Sequence, residues 1–354
     1  MTHSGLSVPR ICVSAWLCLC ACTHAAPQQA FDHPDRSGRI ALRIDAAEAE
    51  AALAIASGPR PPSSAARTRL LDTAGVHRLQ ARETSMHRAL SDDTLVDFVA
   101  SPELAARAPA LRDTLQRWTS ADLDAIAARI LPYLPERARI VATVYPVIKP
   151  QPNSFVYFDA AGAAIFIYLD PAKTAAQFTN TVAHELHHIG FSSLGDEPCT
   201  AAPAVCTART WSSAFGEGFA MLAAAGGPDR HPHAVSPPED RASWDRDVAR
   251  FDTDLRSVES LLRDIIDGRI DADTAQQRAM QFFGVQGAWY TVGYTMAVAV
   301  ERCFGRPALV AAMRRPWTVL GLYNRARAAC PTRTGPATAT WDPALVQSLD
   351  GPAP

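Results

Sequence analysis

The chain of 354 residues is poor in lysine: Lys149 and Lys173 are the only two, and arginine carries almost all of its positive charge. Lysine and arginine together number 34 against 36 acids, a formal net charge of -2. Without a basic surplus, the electrostatic footprint of a nucleic-acid binder is missing. Charged residues are only 20%, so the composition of an acidic disordered chain is missing too. No C-x-x-C spacing occurs, which removes the common cysteine zinc sites. Beyond the first thirty residues no apolar run is long enough to cross a bilayer as a helix. The apolar fraction is 48%, enough to bury a sizeable core in one large or two modest domains.

The first residues differ from the rest. Arg10 supplies a positive start, Ile11 to Ala21 a short apolar run, and small residues follow. That pattern reads as a secretory signal over residues 1–25, outside the fold. Leu19-Cys20-Ala21-Cys22 resembles a bacterial lipobox. It would end the signal at residue 21 and attach the mature chain to a membrane through a lipidated Cys22. Thr23-His24-Ala25 offers ordinary cleavage instead, with Cys18, Cys20 and Cys22 then simply apolar members of the run. Either way the expected location is the bacterial periplasm or the cell envelope. Four cysteines lie past the leader: Cys199, Cys206, Cys303 and Cys330. An even count in an exported chain points to two disulfides. The local pairs 199–206 and 303–330 are the simplest of three connectivities, and four reduced, buried thiols are the competing reading.

Along the chain, residues 26–38 read as a flexible tether and 39–136 as a mainly helical region. That region opens with a short strand at Ile40 to Ile44, then a helix capped by Asp45 and running to about Ser57. The breaker segment Gly58 to Ser64 follows. Helical text then runs to about Ile130, interrupted at Ser101-Pro102 and Thr119-Ser120. Val/Ile-rich Ala138 to Ile148 reads as a strand, and Phe155 to Asp159 with Ala164 to Leu169 as a hairpin around Gly162. Asp170-Pro171 is expected to start the next helix. Everything from about 172 to 350 is helix and loop, with Gly226 to Pro238 a surface loop. The fold class expected is α+β and mostly helical. A small, mainly antiparallel sheet would pack on one helix within a domain over 137–350, with the N-terminal helices a separate subdomain or a lid.

That helix carries Val182-Ala-His-Glu-Leu-His-His-Ile189. In H-E-x-x-H the two histidines, His184 and His188, stand at i and i+4 on one face and can reach one ion. Glu185 is placed to act as general base toward an attacking water. His187 points off that face and reads as a surface residue. A catalytic zinc takes three protein ligands. Positions 191 and 194 are Phe and Leu, so the metzincin spacing is excluded. The better third ligand is Glu217 in Ser213-Ala-Phe-Gly-Glu-Gly-Phe-Ala220, a lone carboxylate in an apolar stretch. Burying it is costly unless it meets a cation, and flanking Gly216 and Gly218 would let a neighbouring helix come close. The alternative is a buried glutamate paired with arginine. Tyr290 and Tyr294 in Trp289-Tyr-Thr-Val-Gly-Tyr-Thr-Met-Ala297 are i, i+4, and a phenol beside zinc can donate to a tetrahedral oxyanion. Core packing explains either ring equally well.

Taken together, H-E-x-x-H, the Gly-Glu-Gly helix, and Tyr-x-x-Gly before a helix ending in Cys303-Phe-Gly305 resemble the gluzincin peptidases. Within these the chain resembles a bacterial family of zinc-dependent peptidases of unestablished function, over roughly 140–325. The resemblance implies one Zn²⁺ per chain on His184, His188 and Glu217, Glu185 as base, and Tyr290, or failing it Tyr294, as oxyanion donor. It implies a peptide or protein substrate, lying along the strand Ala164 to Leu169 at the edge of the cleft. Two departures stand out. The aminopeptidase signature Gly-x-Met-Glu-Asn is absent, and position 221, where thermolysin-like enzymes carry an acid that orients a zinc histidine, is Met. A non-catalytic zinc-binding envelope lipoprotein and an amidase acting on cell-wall cross-links are the other functional readings.

Overall fold

The structure is a computed structural model that describes residues 38–351 apart from 196, 285, 336 and 337. The expected leader, Cys22 and nearly all of the tether lie outside the described residues. In chain order the elements are β1 (Ile40–Ile44), α1 (Ala47–Ala56), α2 (Ser64–Leu71), α3 (Ala74–Ser85), α4 (Asp92–Val99), α5 (Pro102–Thr119) and α6 (Leu123–Ile130). A 3-10 turn, Leu131–Tyr133, leads to β2 (Ile140–Val147), β3 (Phe155–Asp159), β4 (Gly162–Tyr168) and α7 (Ala175–Ser192). The helices α8 (Pro203–Ser212), α9 (Gly216–Ala225), α10 (Pro238–Val248), α11 (Phe251–Ile266) and α12 (Ala272–Gln281) follow. The last are α13 (Ala288–Phe304), α14 (Arg306–Met313), α15 (Thr318–Ala329) and α16 (Pro343–Asp350). The protein is therefore α+β and mostly helical. No described helix is long and apolar enough to cross a membrane.

The chain divides into two compact units: residues up to Leu123 with Val141–Val182, and Asp124–Ile140 with Ala183 onward. In the first, the sheet order is β1-β2-β4-β3. The sheet is mixed, since β2 pairs with β4 in parallel and β3 with β4 antiparallel. Leu79, Tyr145, Val147, Phe155, Ala164 and Phe166 form its core, with Phe166 stacked between Tyr145 and Phe155 at 5.1 and 5.0 Å. Burying each such side chain contributes about 1.5–3 kcal/mol. Arg78 on α3 grips the hairpin: it donates to both carboxylate oxygens of Asp159 at 2.8 Å and to the Gly162 carbonyl at 2.6 Å.

Three expectations are corrected here. The strand at 164–169 is not an edge strand: β4 is bonded on one side to β3 and on the other to β2, so its backbone is used up, and β1 and β3 are the edges. The motif helix does not start at Asp170-Pro171. Asp170 folds back on the Ala172 amide at 3.0 Å, and the cap is a Thr174/Gln177 pair. There the Gln177 amide donates to the Thr174 hydroxyl at 3.2 Å and the Thr174 amide to the Gln177 side chain at 2.7 Å, a reciprocal capping box. The helical block before Ile130 has two further breaks, where Thr73 and Ser91 cap new helices by accepting from the Val76 and Thr94 amides.

The second unit is built on α13. Trp289, fully buried, donates to the Ala279 carbonyl at 2.9 Å, and Phe215 packs edge-on against Trp289 and Trp341. Cys199 and Cys206 are bonded, as are Cys303 and Cys330, the local pairing expected. Helix α7 starts in the first unit and ends in the second.

Candidate metal centre

Every residue of the candidate site belongs to the second unit. Helix α7 brings His184 and His188 onto one face, and α9 brings Glu217 to them. The two Nε2 atoms are 3.1 Å apart, and Glu217 Oε2 lies 3.1 Å from His184 Nε2 and 3.4 Å from His188 Nε2. Bonds of about 2.0–2.2 Å in tetrahedral geometry would set neighbouring zinc donors roughly 3.3–3.6 Å apart. The three donors thus nearly form one face of the tetrahedron that zinc requires, and among the described residues this is the one such cluster. The nitrogen and oxygen donor set suits zinc equally well.

A close helix crossing places Glu217. A Cβ on Gly218 would lie 2.1 Å from the Tyr294 nitrogen and 2.4 Å from the Tyr290 carbonyl oxygen, and one on Gly293 would lie 2.5 Å from the Phe215 oxygen. Only glycine at both positions lets α9 and α13 touch backbone to backbone. A Cβ on Gly216 would instead face the His188 ring, 3.9 Å from its Cε1.

The charges fit the geometry. Burial alone would raise the Glu217 carboxyl, but His188 and His184 outweigh it and hold the group well below the usual carboxylate range. Burial works against a charged His188, and Glu217 with Glu185 overcomes it, so that imidazole is raised. Tyr290 lies beside the triad, its ring nearly parallel to His184 at 6.4 Å. Burial first, then the charge and hydrogen bond of Glu217 and the charge of Glu185, push its phenol far above the ordinary value. These surroundings favour its neutral, proton-donating form.

Tyr294 shares α13 with Tyr290 but is engaged elsewhere. Its hydroxyl lies 3.5 Å from the Arg230 carbonyl and its ring meets Trp244 edge-on at 5.3 Å. Burial raises that phenol to about 12. His187 is also not as expected: it is 2% exposed, packed on Phe191 at 4.9 Å, because the back of α7 is covered rather than solvated. Burial, then the charges of His188 and His184, push it well below its usual value. It is no fourth ligand, for the donor cluster contains only His184, His188 and Glu217.

Sequence reasoning missed the support behind α7. Leu134 packs so tightly that a Cβ on Gly190 would lie 2.6 Å from its methyl carbon. Next to it, Tyr133 donates to the Glu301 carboxylate at 2.9 and 3.2 Å, and Arg306 donates to the same group at 2.8 Å. Glu301 gave the same signal as Glu217, a lone acid in an apolar helix. His184 Nδ1 is buried with no hydrogen-bond partner, consistent with Met rather than an acid at 221.

An H-E-x-x-H helix with a glutamate from a later helix is the donor arrangement of the gluzincin class. The family described as "Putative zinc dependent peptidase (DUF5700)" matches residues 74–329, and the chain belongs to it. No match was found among curated proteins or among solved structures.

Proposed function

We propose that the protein is an exported zinc peptidase that hydrolyses peptide bonds by general-base attack of water. The observation that carries this reading is the convergence of His184, His188 and Glu217 on one point, with Glu185 next in the chain and Tyr290 alongside. One zinc per chain, held by these three residues, would supply Lewis acidity toward the scissile carbonyl and the attacking water. Glu185 takes the water's proton and delivers it to the leaving amine. The Tyr290 hydroxyl, kept protonated by its surroundings, donates to the developing oxyanion. Tyr294 has no part in this scheme, because its hydroxyl is turned to Arg230.

The leader sequence and the two disulfides support export to the periplasm or the envelope, with Cys22 as the lipid attachment point. A zinc-binding protein without turnover would be expected to carry four protein ligands. The nearest further imidazole, His187, stands outside the cluster.

The test is metal content and turnover together. Elemental mass spectrometry should find one zinc per chain in the wild type, and little in Glu217→Ala. Glu185→Gln should keep its zinc and lose activity on a peptide library by about 10²–10⁴-fold. Full zinc retention by Glu217→Ala would remove the three-ligand site. Undiminished hydrolysis by Glu185→Gln would remove the mechanism.

A further inference from the structure

Acids slightly outnumber bases in the whole chain, yet the balance is reversed around the turn that follows α9. Four arginines meet there. Arg302 donates to the Pro228 carbonyl at 2.8 Å and pairs with Asp229 at 3.0 Å. Arg306 pairs with Glu301 and lies over the Tyr133 ring at 4.2 Å, and the Tyr133 hydroxyl is 3.9 Å from the point a Cβ on Gly227 would occupy. Arg129 donates to the Ala224 carbonyl at 3.0 Å. Its stem crosses Gly226, with Cγ 3.4 Å from the position of a Cβ there, and Arg230 Nη1 lies 3.7 Å from the same point. Gly226 has φ +83 and ends α9 in the left-handed conformation, so no side chain separates the two cations.

The local acids are already engaged: Asp229 with Arg302, Glu301 with Arg306 and Tyr133. Arg129 and Arg230 have no carboxylate partner among the described residues. Burial, then the charge of Arg230, lowers the Arg129 pKa, a separate sign that two like charges face each other. The carbonyl end of α9 offsets only about half a charge.

We propose that Arg129 and Arg230, which meet beside Gly226, form a binding site for an oxyanion of the phosphate class. Two guanidinium forks offer the paired donors that tetrahedral oxyanions accept. Arg129 is already oriented by its bond to Ala224, so only the exposed Arg230 must be ordered on binding. The site is separate from the metal ligands: Gly226 follows Glu217 by nine residues, about 13 Å along the axis of α9.

The test is isothermal titration of the zinc-loaded full chain with inorganic phosphate, at ionic strength held constant with chloride. Arg230→Gln is the informative variant, because that side chain is exposed and its loss leaves the core untouched. Arg250→Gln, where an exposed arginine pairs with Asp254 elsewhere, is the control. Saturable phosphate binding in the wild type should weaken at least about tenfold in Arg230→Gln and stay unchanged in Arg250→Gln. No saturable binding, equal weakening in both variants, or binding untouched by Arg230→Gln would each overturn the site. The last result would locate the anion at the zinc instead.

Discussion

Glu48 and Glu217 are buried to nearly the same degree, 1% and 5% exposed, on helices of different units, and they behave in opposite ways. Glu48 on α1 accepts one hydrogen bond, from the Ile148 amide at 3.0 Å, and its other oxygen has no partner. Lys149 is close enough to act on it, but its ammonium is also engaged by the Gln151 carbonyl and the Asn153 side chain. Burial prevails and raises the Glu48 carboxyl to about 8. At Glu217 the same burial is overcome by two imidazoles. Desolvation penalises the charged form of both groups, and the surrounding atoms decide the response. One carboxyl keeps its proton, and the other gathers nitrogen donors around itself. Glu301 lies between these cases, satisfied by a phenol and a guanidinium.

Making the same substitution at both positions sharpens the contrast. Glu217→Gln should have the largest effect, lowering zinc affinity by more than the 10–100-fold (roughly) that loss of an outer partner brings, read by chelator competition. Glu48→Gln should stabilise the protein at alkaline pH. The raised carboxyl contributes fully below the unfolded value of 4.5, and that contribution is lost as pH rises through about 8. Glutamine keeps an acceptor for Ile148 and has no proton to lose. Melting curves at pH 5 and pH 9 should show wild type losing on the order of a few kcal/mol that the variant retains. Parallel curves would show that Glu48 is ionised after all.

Gly218→Ala tests whether the Glu217 site depends on the helix crossing. The added methyl must push α9 from α13, at a cost of about 1–3 kcal/mol, and zinc affinity should fall with it. An alanine variant with wild-type melting and zinc affinity would refute that dependence. The smallest effect belongs to His233. Burial, then the charge of His231, lowers it to about 4, while its Nδ1 lies 3.0 Å from the Ser236 hydroxyl. A folded-state pKa below the usual 6.5 means stability is lost as pH falls from about 6.5 toward 4. His233→Phe should remove that slope, worth about 1 kcal/mol or less once solvent screening is counted. An unchanged acid limb of the melting profile would contradict it.

How much of this was legible depended on how local each signal is. His184, Glu185 and His188 lie within one turn and a residue, so helical periodicity alone puts the ligands on one face. Glu217 was found from the cost of burying an acid, but that cost cannot name the partner. The identical signal at Glu301 leads to Tyr133 and Arg306, which was the arginine-paired alternative considered for Glu217. Tyr290 and Tyr294 share a helical face, and only the tertiary position of the Arg230 carbonyl separates them. The hairpin was readable from Gly162, whereas the parallel partner of β4 is a strand that precedes β3 and leaves no trace in the hairpin itself. The true start of α7 was written in the sequence as Thr174-x-x-Gln177 and was masked by the stronger-looking Asp170-Pro171 just before it.

Helix α7 is capped at Thr174 and anchored by Phe178, which stacks on Trp118 of α5 at 4.6 Å, all within the first unit. Its ligands come only after Val182, in the second. A fragment beginning at Ala183 would hold all three donors and still make a poor metal protein. His184 would sit in a terminal turn with no cap and no preceding helix to nucleate it, where helices fray. The half of the chain that carries these donors cannot be cut free with its candidate metal site intact, because the cap that rigidifies His184 belongs to the other half.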